Sequence, residues 1–478
     1  MNQLWSADAL IEATGGRPLG TMPDSVGGIS IDTRTLAPGD AFFAIKGESL
    51  DGHDFAGAAL AAGAGVLVVD ENKLPALGRV GGAKILVPDV LKALEAVGVA
   101  ARARSKAKII AITGSAGKTS TKEAMRHALS AVGKVHASDK SFNNHWGVPL
   151  TLSRLPEDAD FAIFEIGMNH PGEIRPLTKM VRPHVALITL IAAAHLGHFR
   201  DLDEIAAAKA EIFEGVVPKG VALLNHDDAR FKLLSKLAHA AGVETVKGFG
   251  EHEKSDFKLL KCEGDADGSL IVARIGGHNV EARVGAPGRH VAQNALAVLA
   301  IAELIGVDVD KVAAALATLV PESGRGRRHD LLLPDGTVHL IDESYNANPA
   351  SMKAALDLLC AAPLRASGRR IAVLGDMLEL GTHAEALHAG LADLIDAKRI
   401  DEVLLAGPEM KALAARLVDH GPKVEYRSNV EELKPVLMKT VRAGDTVMIK
   451  SSKGIGFSKL VETLTKAYPA KAIGAKRG

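Results

Sequence analysis

The sequence is poor in cysteine, has no excess of charge of either sign, and lacks long apolar runs. Its two cysteines, Cys262 and Cys360, are too few for a disulfide framework and lack metal-ligand spacing, which fits a reducing compartment. Lys plus Arg and Asp plus Glu number 57 each, so no overall field attracts nucleic acid or an anionic bilayer. The longest apolar stretches, such as residues 56–70, are too short to span a membrane. We therefore expect neither nucleic acid nor a membrane as a partner.

The start of the chain and its composition indicate a globular protein of the cytoplasm. Residues 1–10 have no basic region before an apolar run, so we expect no secretory signal. Hydrophobic residues make up 47% and charged residues 24%, which is close to the average for globular chains. A chain of 478 residues exceeds what one hydrophobic core serves, and about three domains are expected.

Strand-like and helical patterns alternate along the whole chain. Up to residue 107 they indicate a small α/β unit, and residues 108–320 show the βαβ rhythm of a parallel sheet. We expect one helix, residues 291–304, to close that unit. The stretch 321–328 is rich in Gly and Arg and indicates a linker. The fold class is therefore α/β, with domains at 1–107, 108–320 and 321–478.

The strand ends locate the candidate sites. In the middle region, strand-like runs end at Thr113, Ile166, Thr189 and Asn225. Beyond the linker they end at Asp342, Leu374, Leu405, Tyr426 and Ser451. A helical stretch follows each of the latter, so the last domain is predicted to be doubly wound, as in Rossmann-like folds.

A glycine loop of the kind that binds phosphate lies between a predicted strand at 108–113 and a predicted helix at 119–132. The loop consists of Gly114, Ser115, Ala116, Gly117, Lys118, Thr119 and Ser120. Helix-start N–H groups would hold phosphate, Lys118 would supply a cation, and Thr119 would hold Mg2+. The spacing is shorter than the general Walker pattern, and the alternative is an ordinary turn before a helix. The preceding strand, Lys118 and Thr119 together favour an ATP-binding loop over an ordinary turn.

Two polar residues follow strands at the edge where open α/β sheets bind ligands. Glu165 ends the apolar strand 161–166, where a buried carboxylate needs a partner. Mg2+ bridging ATP phosphates is one candidate partner, and an arginine is the alternative. His195 follows the strand 185–189; alone it would fit a structural histidine, and its neighbours make it a candidate.

Lys209 lies on the apolar face of a predicted helix at 204–214, together with Ile205 and Ile212. Burial disfavours the ammonium, and a neutral amine reacts with CO2 to give a carbamate that could bind metal. The alternative is a lysine whose stem packs while its ammonium reaches solvent. Periodicity alone favours that alternative.

These residues lie in segments that resemble the Mur ligases, which build the peptide stem of the peptidoglycan precursor in the bacterial cytoplasm. The segments that resemble the family most clearly are 113–119, 164–170, 194–196 and 208–209, and the resemblance covers nearly the whole chain. It implies that Lys118, Glu165, His195 and Lys209 are catalytic. It also implies that Lys209 is carbamylated and that two Mg2+ ions are held by Thr119, Glu165, His195 and Lys209.

Two further segments narrow the activity that the resemblance implies. Residues 342–349 and 374–381 are similar to those of members that add D-alanyl-D-alanine to UDP-N-acetylmuramoyl-tripeptide. The arginine-containing Asn-Pro motif of members that add diaminopimelate or lysine is not found. The implied reaction is ATP-dependent, passes through an acyl phosphate, and yields UDP-N-acetylmuramoyl-pentapeptide. Two alternative functions are disfavoured. The first is a ligase that glutamylates folate, which would not need a UDP-binding domain. The second is a nucleotide-sensing regulator, which would not need Glu165, His195 and Lys209.

The resemblance also assigns binding residues. The first domain would bind UDP through Ser30, Asp32, Arg34, Lys46, Gly47 and His53. ATP would also contact His290 and Asn294 at adenine, Arg325 at phosphate and Asp342 at ribose. The substrate cleft would be lined by Asn143, Asn144, Asn169, His170, Tyr345, Asn346 and Asn348. Without the resemblance, the UDP segments would be solvated loops with ordinary turns.

Several points stay open. Arg327 and Arg328 lie beside Arg325, and one sequence does not fix which of them contacts phosphate. The segment 450–454 lacks a glycine that the family pattern has, so its role is undetermined. The third stem residue can be diaminopimelate or lysine. A monomer is expected, although the motifs do not determine the oligomeric state, and closure of the C-terminal domain is expected before chemistry.

Overall fold

The computed structural model describes residues 3–139, 141–265, 267–364, 368–417 and 421–469. Its strands form three main sheets, which lie in three successive regions that we name the N-terminal, central and C-terminal domains. Most strand pairs in these sheets are parallel, and helices connect them, which confirms the predicted α/β class. No helix in the described ranges is both long and apolar enough to cross a membrane. The boundaries after residues 107 and 320 stay predictions.

The N-terminal domain is a small sheet flanked by helices. Its strands are β1 (Trp5–Ser6), β2 (Arg17–Leu19), β3 (Ser25–Val26), β4 (Ile29–Ser30), β5 (Ala41–Phe43), β6 (Val66–Asp70) and β7 (Lys84–Val87). Its helices are α1 (Ala7–Thr14), α2 (Ala56–Ala61) and α3 (Val90–Arg104). The main sheet has the order β2-β7-β6-β5-β4, parallel except for β2.

The central domain carries a nine-stranded sheet. Its strands are β8 (Lys108–Thr113), β9 (Val135–Ala137), β10 (Phe161–Glu165), β11 (Val185–Ile188), β12 (Val221–Asn225), β13 (Thr245–Gly250), β14 (Phe257–Gly264), β15 (Ser269–Ile275) and β16 (His278–Val284). Its helices are α4 (Lys118–Leu129), α5 (Gly147–Ser153), α6 (Ile174–Val181), α7 (Leu202–Ala210), α8 (Phe231–Ala240), α9 (Arg289–Ile305) and α10 (Val309–Leu316). The order is β16-β15-β14-β13-β12-β11-β8-β10-β9, which puts the phosphate-loop strand β8 between β11 and β10.

The C-terminal domain has a six-stranded sheet in which all but the first strand run parallel. Its strands are β17 (Arg327–Leu333), β18 (Gly336–Glu343), β19 (Arg370–Gly375), β20 (Glu402–Ala406), β21 (Lys423–Arg427) and β22 (Thr446–Lys450). Its helices are α11 (Pro349–Ala361), α12 (Ala384–Ala389), α13 (Leu391–Asp396), α14 (Met410–Leu417), α15 (Val430–Thr440) and α16 (Ser458–Ala467). The sheet order is β17-β18-β22-β19-β20-β21. The carboxyl ends of β18 and β22 are neighbours and face the central domain.

The structure corrects four sequence expectations. The central sheet is not only parallel, because β15 and β16 add an antiparallel hairpin joined at Gly276 and Gly277. The predicted linker 321–328 ends early, since Arg327 and Arg328 already pair with β18. The predicted helix 204–214 is α helix only to residue 210, and a 3-10 turn then follows from Glu211 to Gly215. The helix predicted to close the central unit is followed by another, α10.

Candidate active site

The phosphate loop connects β8 to α4 and depends on two glycines. Gly114 and Gly117 have φ of 146° and 85°, a region that side chains disfavour. The Ser115 amide donates to the Leu190 carbonyl oxygen at 2.7 Å, which fixes the loop against the end of β11. The first N–H groups of α4 therefore face the space in front of the sheet, as an anion site requires.

A cavity of about 350 Å³ lies in front of this loop. It is bounded by the carboxyl ends of β10 and β11, the start of α9, and the segment of the C-terminal domain that follows β18. The predicted residues that line it are Ser115, Ala116, Gly117, Lys118, Thr119, Ser120, Asn143, Glu165, Asn169, His195, His290, Asn294, Arg325, Tyr345, Asn346 and Asn348. The fold thus brings the predicted phosphate, adenine and cleft residues to one place.

Lys118 and Ser115 have properties expected at a phosphate site. The Lys118 ammonium donates to the Gly114 carbonyl oxygen at 2.7 Å. Burial lowers the pKa of Lys118, the Glu165 carboxylate opposes this effect, and the Arg325 guanidinium adds to it. The Ser115 hydroxyl is buried and has no hydrogen-bond partner within the described ranges. Two cations and an unpaired donor at one cavity wall fit a polyanion such as the phosphates of ATP.

Thr119 and Glu165 form the oxygen pair that Mg2+ would need. Thr119 Oγ1 donates to Glu165 Oε2 at 2.8 Å, and Asn143 Nδ2 donates to Glu165 Oε1 at 2.7 Å. Glu165 is only 1% exposed, and no arginine among the described residues pairs with it, in contrast to the alternative considered from sequence. The described part of the chain holds no cluster of three or more His, Cys, Asp or Glu that could bind a metal. The residues therefore fit an ion that takes its other ligands from nucleotide phosphates and water, as Mg2+ usually does.

Lys209 is buried on α7 and is 1% exposed, so its ammonium does not reach solvent. Within the described ranges it makes no hydrogen bond or ion pair and does not line the cavity. Burial lowers its pKa well below the ordinary value, and the charge of Lys118 acts in the same direction. The solvent-reaching alternative is therefore wrong, and the geometry favours a neutral amine.

The C-terminal domain reaches directly onto the phosphate loop. Asn348 Nδ2 donates to the Ser115 carbonyl oxygen at 3.2 Å. Arg325 and the Tyr345 hydroxyl both contact Ser141 Oγ at 3.2 Å, and the guanidinium lies 4.3 Å from the centre of the Tyr345 ring. Of the three neighbouring arginines, Arg325 is the one that lines the cavity. The other two lie on β17, so the geometry favours Arg325 as the phosphate contact.

Asp342 does not line the cavity as far as the described residues show. Its buried carboxylate accepts hydrogen bonds from Ser323 Oγ at 3.0 Å and from the Gly324 amide at 2.7 Å. The Ser344 hydroxyl donates to it at 2.6 Å. In this arrangement Asp342 fixes the loop that carries Arg325, and its ribose contact stays a prediction. His290 is at the cavity wall, and burial lowers its pKa.

Sequence reasoning gave no site role to four charged residues of the cavity, Glu123, Glu322, Glu343 and Lys450, and the last two lie beside the phosphate-loop contacts of the C-terminal domain. The Lys450 ammonium donates to the Asn346 carbonyl oxygen at 2.8 Å and to Glu343 Oε2 at 3.3 Å. Burial lowers the pKa of Lys450, and the carboxylate of Glu343 opposes that shift. Both residues end parallel strands that are neighbours in the sheet. That shared edge is the signal that would have identified them.

Two predicted cleft residues lie outside the cavity lining. Asn144 Oδ1 accepts a hydrogen bond from the Gly147 amide at 3.0 Å, at the start of α5. His170 is exposed, and its Nδ1 lies 3.1 Å from Glu173 Oε1. Both residues are held by neighbours in sequence, and their substrate contacts stay predictions.

The predicted UDP residues lie at the carboxyl edge of the N-terminal sheet, apart from the cavity. Ser30 ends β4, and Asp32 and Arg34 follow it; Arg34 is largely exposed and pairs with Asp32 at 2.6 Å. Lys46, Gly47 and His53 belong to the loop after β5. His53 is buried with Nδ1 2.6 Å from Asp51 Oδ1, and its Nε2 accepts from the Asp70 amide at 2.9 Å. This geometry favours a structural position for His53, while the exposed guanidinium of Arg34 is accessible to a ligand although it pairs with Asp32.

Family domains cover most of the chain. Residues 25–138 match the domain described as Mur ligase family, catalytic domain, and residues 112–302 match the Mur ligase middle domain. Residues 327–453 match the domain described as Mur ligase, glutamate ligase domain. Two of these regions therefore coincide with the central and C-terminal sheets.

Whole-chain relatives agree with these matches. The UDP-N-acetylmuramoyl-tripeptide--D-alanyl-D-alanine ligase of Escherichia coli is 34% identical over 91% of this chain and 93% of its own length. The Bacillus subtilis ligase of the same name is 31% identical over 92% of this chain and 93% of its own. A crystal structure of MurF from Acinetobacter baumannii superposes with a TM-score of 0.82 at 29% identity, covering 97% of this chain and 99% of that one. The chain therefore belongs to the Mur ligase family.

Proposed function

We infer that the chain is an ATP-dependent ligase that joins D-alanyl-D-alanine to UDP-N-acetylmuramoyl-tripeptide and so makes UDP-N-acetylmuramoyl-pentapeptide for peptidoglycan synthesis. Relatives of that name match more than nine-tenths of the chain. The observation that carries the mechanism is the cavity in which the phosphate loop, the Thr119–Glu165 pair and the C-terminal domain meet.

The reaction has two bond-forming steps. An oxygen of the tripeptide's terminal carboxylate attacks the γ-phosphorus of ATP, and the bond to the ADP oxygen breaks, which gives an acyl phosphate. The amine of D-alanyl-D-alanine then attacks the acyl carbon. The tetrahedral intermediate expels inorganic phosphate, and the amine loses a proton as the amide forms. Negative charge is present on the reacting groups throughout, so cations must surround them.

The residues of the cavity supply those cations and their orientation. Lys118 and Arg325 would bind phosphate oxygens, and Thr119 and Glu165 would hold Mg2+ beside them. When bound, the ion would neutralise the negative charge that shifts between phosphate oxygens during the transfer. We propose a second Mg2+ held with the help of His195. His290 and Asn294 face adenine, and Tyr345, Asn346 and Asn348 bring the incoming dipeptide against the phosphate loop.

We propose that Lys209 carries a carbamate. Its buried and unpaired amine with a lowered pKa supports this, because a neutral amine attacks CO2 and releases one proton to solvent. The resulting carboxylate would compensate the charge of Lys118 and orient the second ion. The N-terminal domain binds the UDP end of the precursor through Ser30, Arg34 and Lys46. The enzyme acts in the cytoplasm as a monomer.

The decisive experiment incubates the purified protein with ATP, Mg2+, D-alanyl-D-alanine and each of two precursors, the diaminopimelate and the lysine tripeptide. Phosphate release and mass spectrometry of the UDP product are followed together. We expect equimolar phosphate and UDP-pentapeptide, and the preferred precursor identifies the third stem residue. Phosphate without pentapeptide would refute the assignment, as would glutamylation of a folate in a parallel reaction.

Matched lysine variants connect the activity to the cavity. Lys118→Met is expected to lower kcat at least about 100-fold, because one preorganised cation at the transferred phosphate is lost. Lys106→Met removes an exposed lysine that lies outside the cavity and should leave kcat unchanged. Equal activity of the two variants would show that the reaction takes place elsewhere.

A further inference from the structure

Two short loops from different domains meet at the edge of the cavity. Residues 195–198 follow β11 in the central domain, and residues 378–381 follow β19 in the C-terminal domain. His195 contacts the Glu379 carboxylate through Nδ1. Within the described ranges the His195 ring makes no other hydrogen bond. The orientation of this ring therefore depends on a residue of the other domain.

The backbone supports the contact on both sides. His195 and Glu379 have φ of 58° and 64°, a left-handed conformation that residues with a Cβ disfavour. Such conformations persist where surrounding contacts hold them, and they occur often at functional sites. Here the Gly197 amide donates to the Glu379 carbonyl oxygen at 3.0 Å. A strained backbone is thus kept in each loop at the point where the two side chains meet.

The backbones of the two loops approach each other closely, which distinguishes the contact between His195 and Glu379 from an ordinary ion pair. A Cβ on Gly197 would lie 2.9 Å from the Gly381 nitrogen, and one on Gly381 would lie 2.7 Å from Gly197 Cα. Leu196 packs at the same time against the apolar cluster of the C-terminal domain. An exposed ion pair alone contributes little and would not need such a fit.

On the basis of the proposed function, in which His195 acts at the phosphates, we propose that Glu379 is a positioning residue that orients the His195 ring only when the C-terminal domain is docked. With the Nδ1 hydrogen donated to the carboxylate, Nε2 keeps its lone pair for a metal ion. When the C-terminal domain is undocked, the ring has no partner and rotates freely. The second ion site is thereby complete only in the docked enzyme that also holds the dipeptide.

A double-mutant cycle on His195 and Glu379 in the full-length enzyme tests this proposal. We expect Glu379→Ala to lower kcat about 10- to 100-fold with the KM for ATP nearly unchanged. The double variant should be as slow as His195→Ala alone, because Glu379 acts through that ring. Glu379→Gln should retain part of the activity, since its amide oxygen still accepts from Nδ1. If Glu379→Ala fails to fold, Glu379→Gln takes its place in the double-mutant cycle.

The affinity of the enzyme–ADP complex for Mn2+, measured by electron paramagnetic resonance, gives a readout independent of turnover. Glu379→Ala and His195→Ala should weaken the second Mn2+ site by similar factors, about 10- to 100-fold. Glu385→Gln is the matched control, because this exposed carboxylate on α12 makes no ion pair with a described residue. It should equal the wild type in both assays.

Two outcomes would overturn the proposal. One is a double variant whose loss in kcat is the product of the two single losses. The other is Mn2+ affinity that is unchanged in both Glu379 variants. Failure of the wild type to form pentapeptide would instead refute the proposed function, and the Mn2+ titration would still report whether Glu379 acts on the site.

Discussion

Replacing Gly114 by alanine tests how the phosphate loop is held. Gly114 has φ of 146°, and a Cβ there would lie 2.0 Å from Thr189 Oγ1 and 3.2 Å from both Thr189 Cβ and the Leu190 nitrogen. The Thr189 hydroxyl cannot move away without loss, because it donates to the Ala116 carbonyl oxygen at 2.6 Å. Gly114→Ala therefore creates backbone strain and a steric clash with a group that stabilises the loop.

The expected cost has two parts. Backbone strain at this φ is worth about 1–3 kcal/mol. Overpacking against Thr189 adds about 1–3 kcal/mol, so Gly114→Ala should lower the free energy of unfolding by roughly 2–6 kcal/mol. Thr189→Ala alone loses one net hydrogen bond, about 1 kcal/mol. It also removes the clashing oxygen, so the double variant should be less destabilised than the sum of the two single variants by about 1–3 kcal/mol.

Urea unfolding measures these differences through the fluorescence of Trp5 and Trp146, which are the two tryptophans of the chain. Gly172→Ala is the control for strain alone, because Gly172 has φ of 89° and its Cβ would meet no atom within 4 Å. Calorimetry of ADP binding shows whether the loop has moved. The reasoning is refuted if Gly114→Ala is no more destabilising than Gly172→Ala, or if Thr189→Ala brings no relief.

Three further predictions concern charge. Glu165→Gln should lower kcat at least about 100-fold at any Mg2+ concentration, measured by phosphate release, because it removes the carboxylate that we propose as a ligand of Mg2+. Because burial lowers the folded pKa of Lys209, the wild-type free energy of unfolding should rise with pH between that pKa and about 10.4, and Lys209→Met should abolish this rise in urea titrations. Short carboxylic acids should restore turnover to Lys209→Ala if a carbamate acts there. Arg34→Ala should raise the KM for the UDP precursor about 10-fold with the KM for ATP unchanged, and equal changes in both would contradict the UDP assignment.

The strands β8, β10, β11 and β12 could be predicted from the sequence to within a residue or two, whereas the parallel strands β9 and β13 were missed. Strands buried on both faces are continuous apolar runs, and β8 and β10 end at Thr113 and Glu165 where polar residues begin. The antiparallel hairpin β15–β16 was missed, although its residues alternate in burial and Gly276-Gly277 is a strong turn signal.

The candidate site could be predicted where its residues lie within one domain. Lys118, Thr119 and Glu165 are fixed by their positions on neighbouring strands, so motif and strand order suffice. Glu379 reaches His195 only because the C-terminal domain docks on the central domain, and no local pattern encodes that contact. Glu379 also has φ of 64°, a left-handed conformation that residues with a Cβ disfavour, so its backbone was not predictable from the sequence either.

The way the domains are joined indicates which part of the enzyme closes. One apolar cluster runs without a break from the N-terminal domain into the central domain, and Trp5 Nε1 and Arg154 Nε add hydrogen bonds across the joint at 2.9 Å and 2.7 Å. The apolar clusters of the C-terminal domain are separate, and among the residues that the structure describes they receive only Leu196 from the central domain. Polar contacts such as Asn348 to Ser115 exchange for water at little net cost, whereas opening a continuous core exposes apolar area. Closure should therefore move the C-terminal domain relative to the joined N-terminal and central domains. This movement would bring Arg325, Lys450 and Glu379 to the phosphate loop, which stays in place.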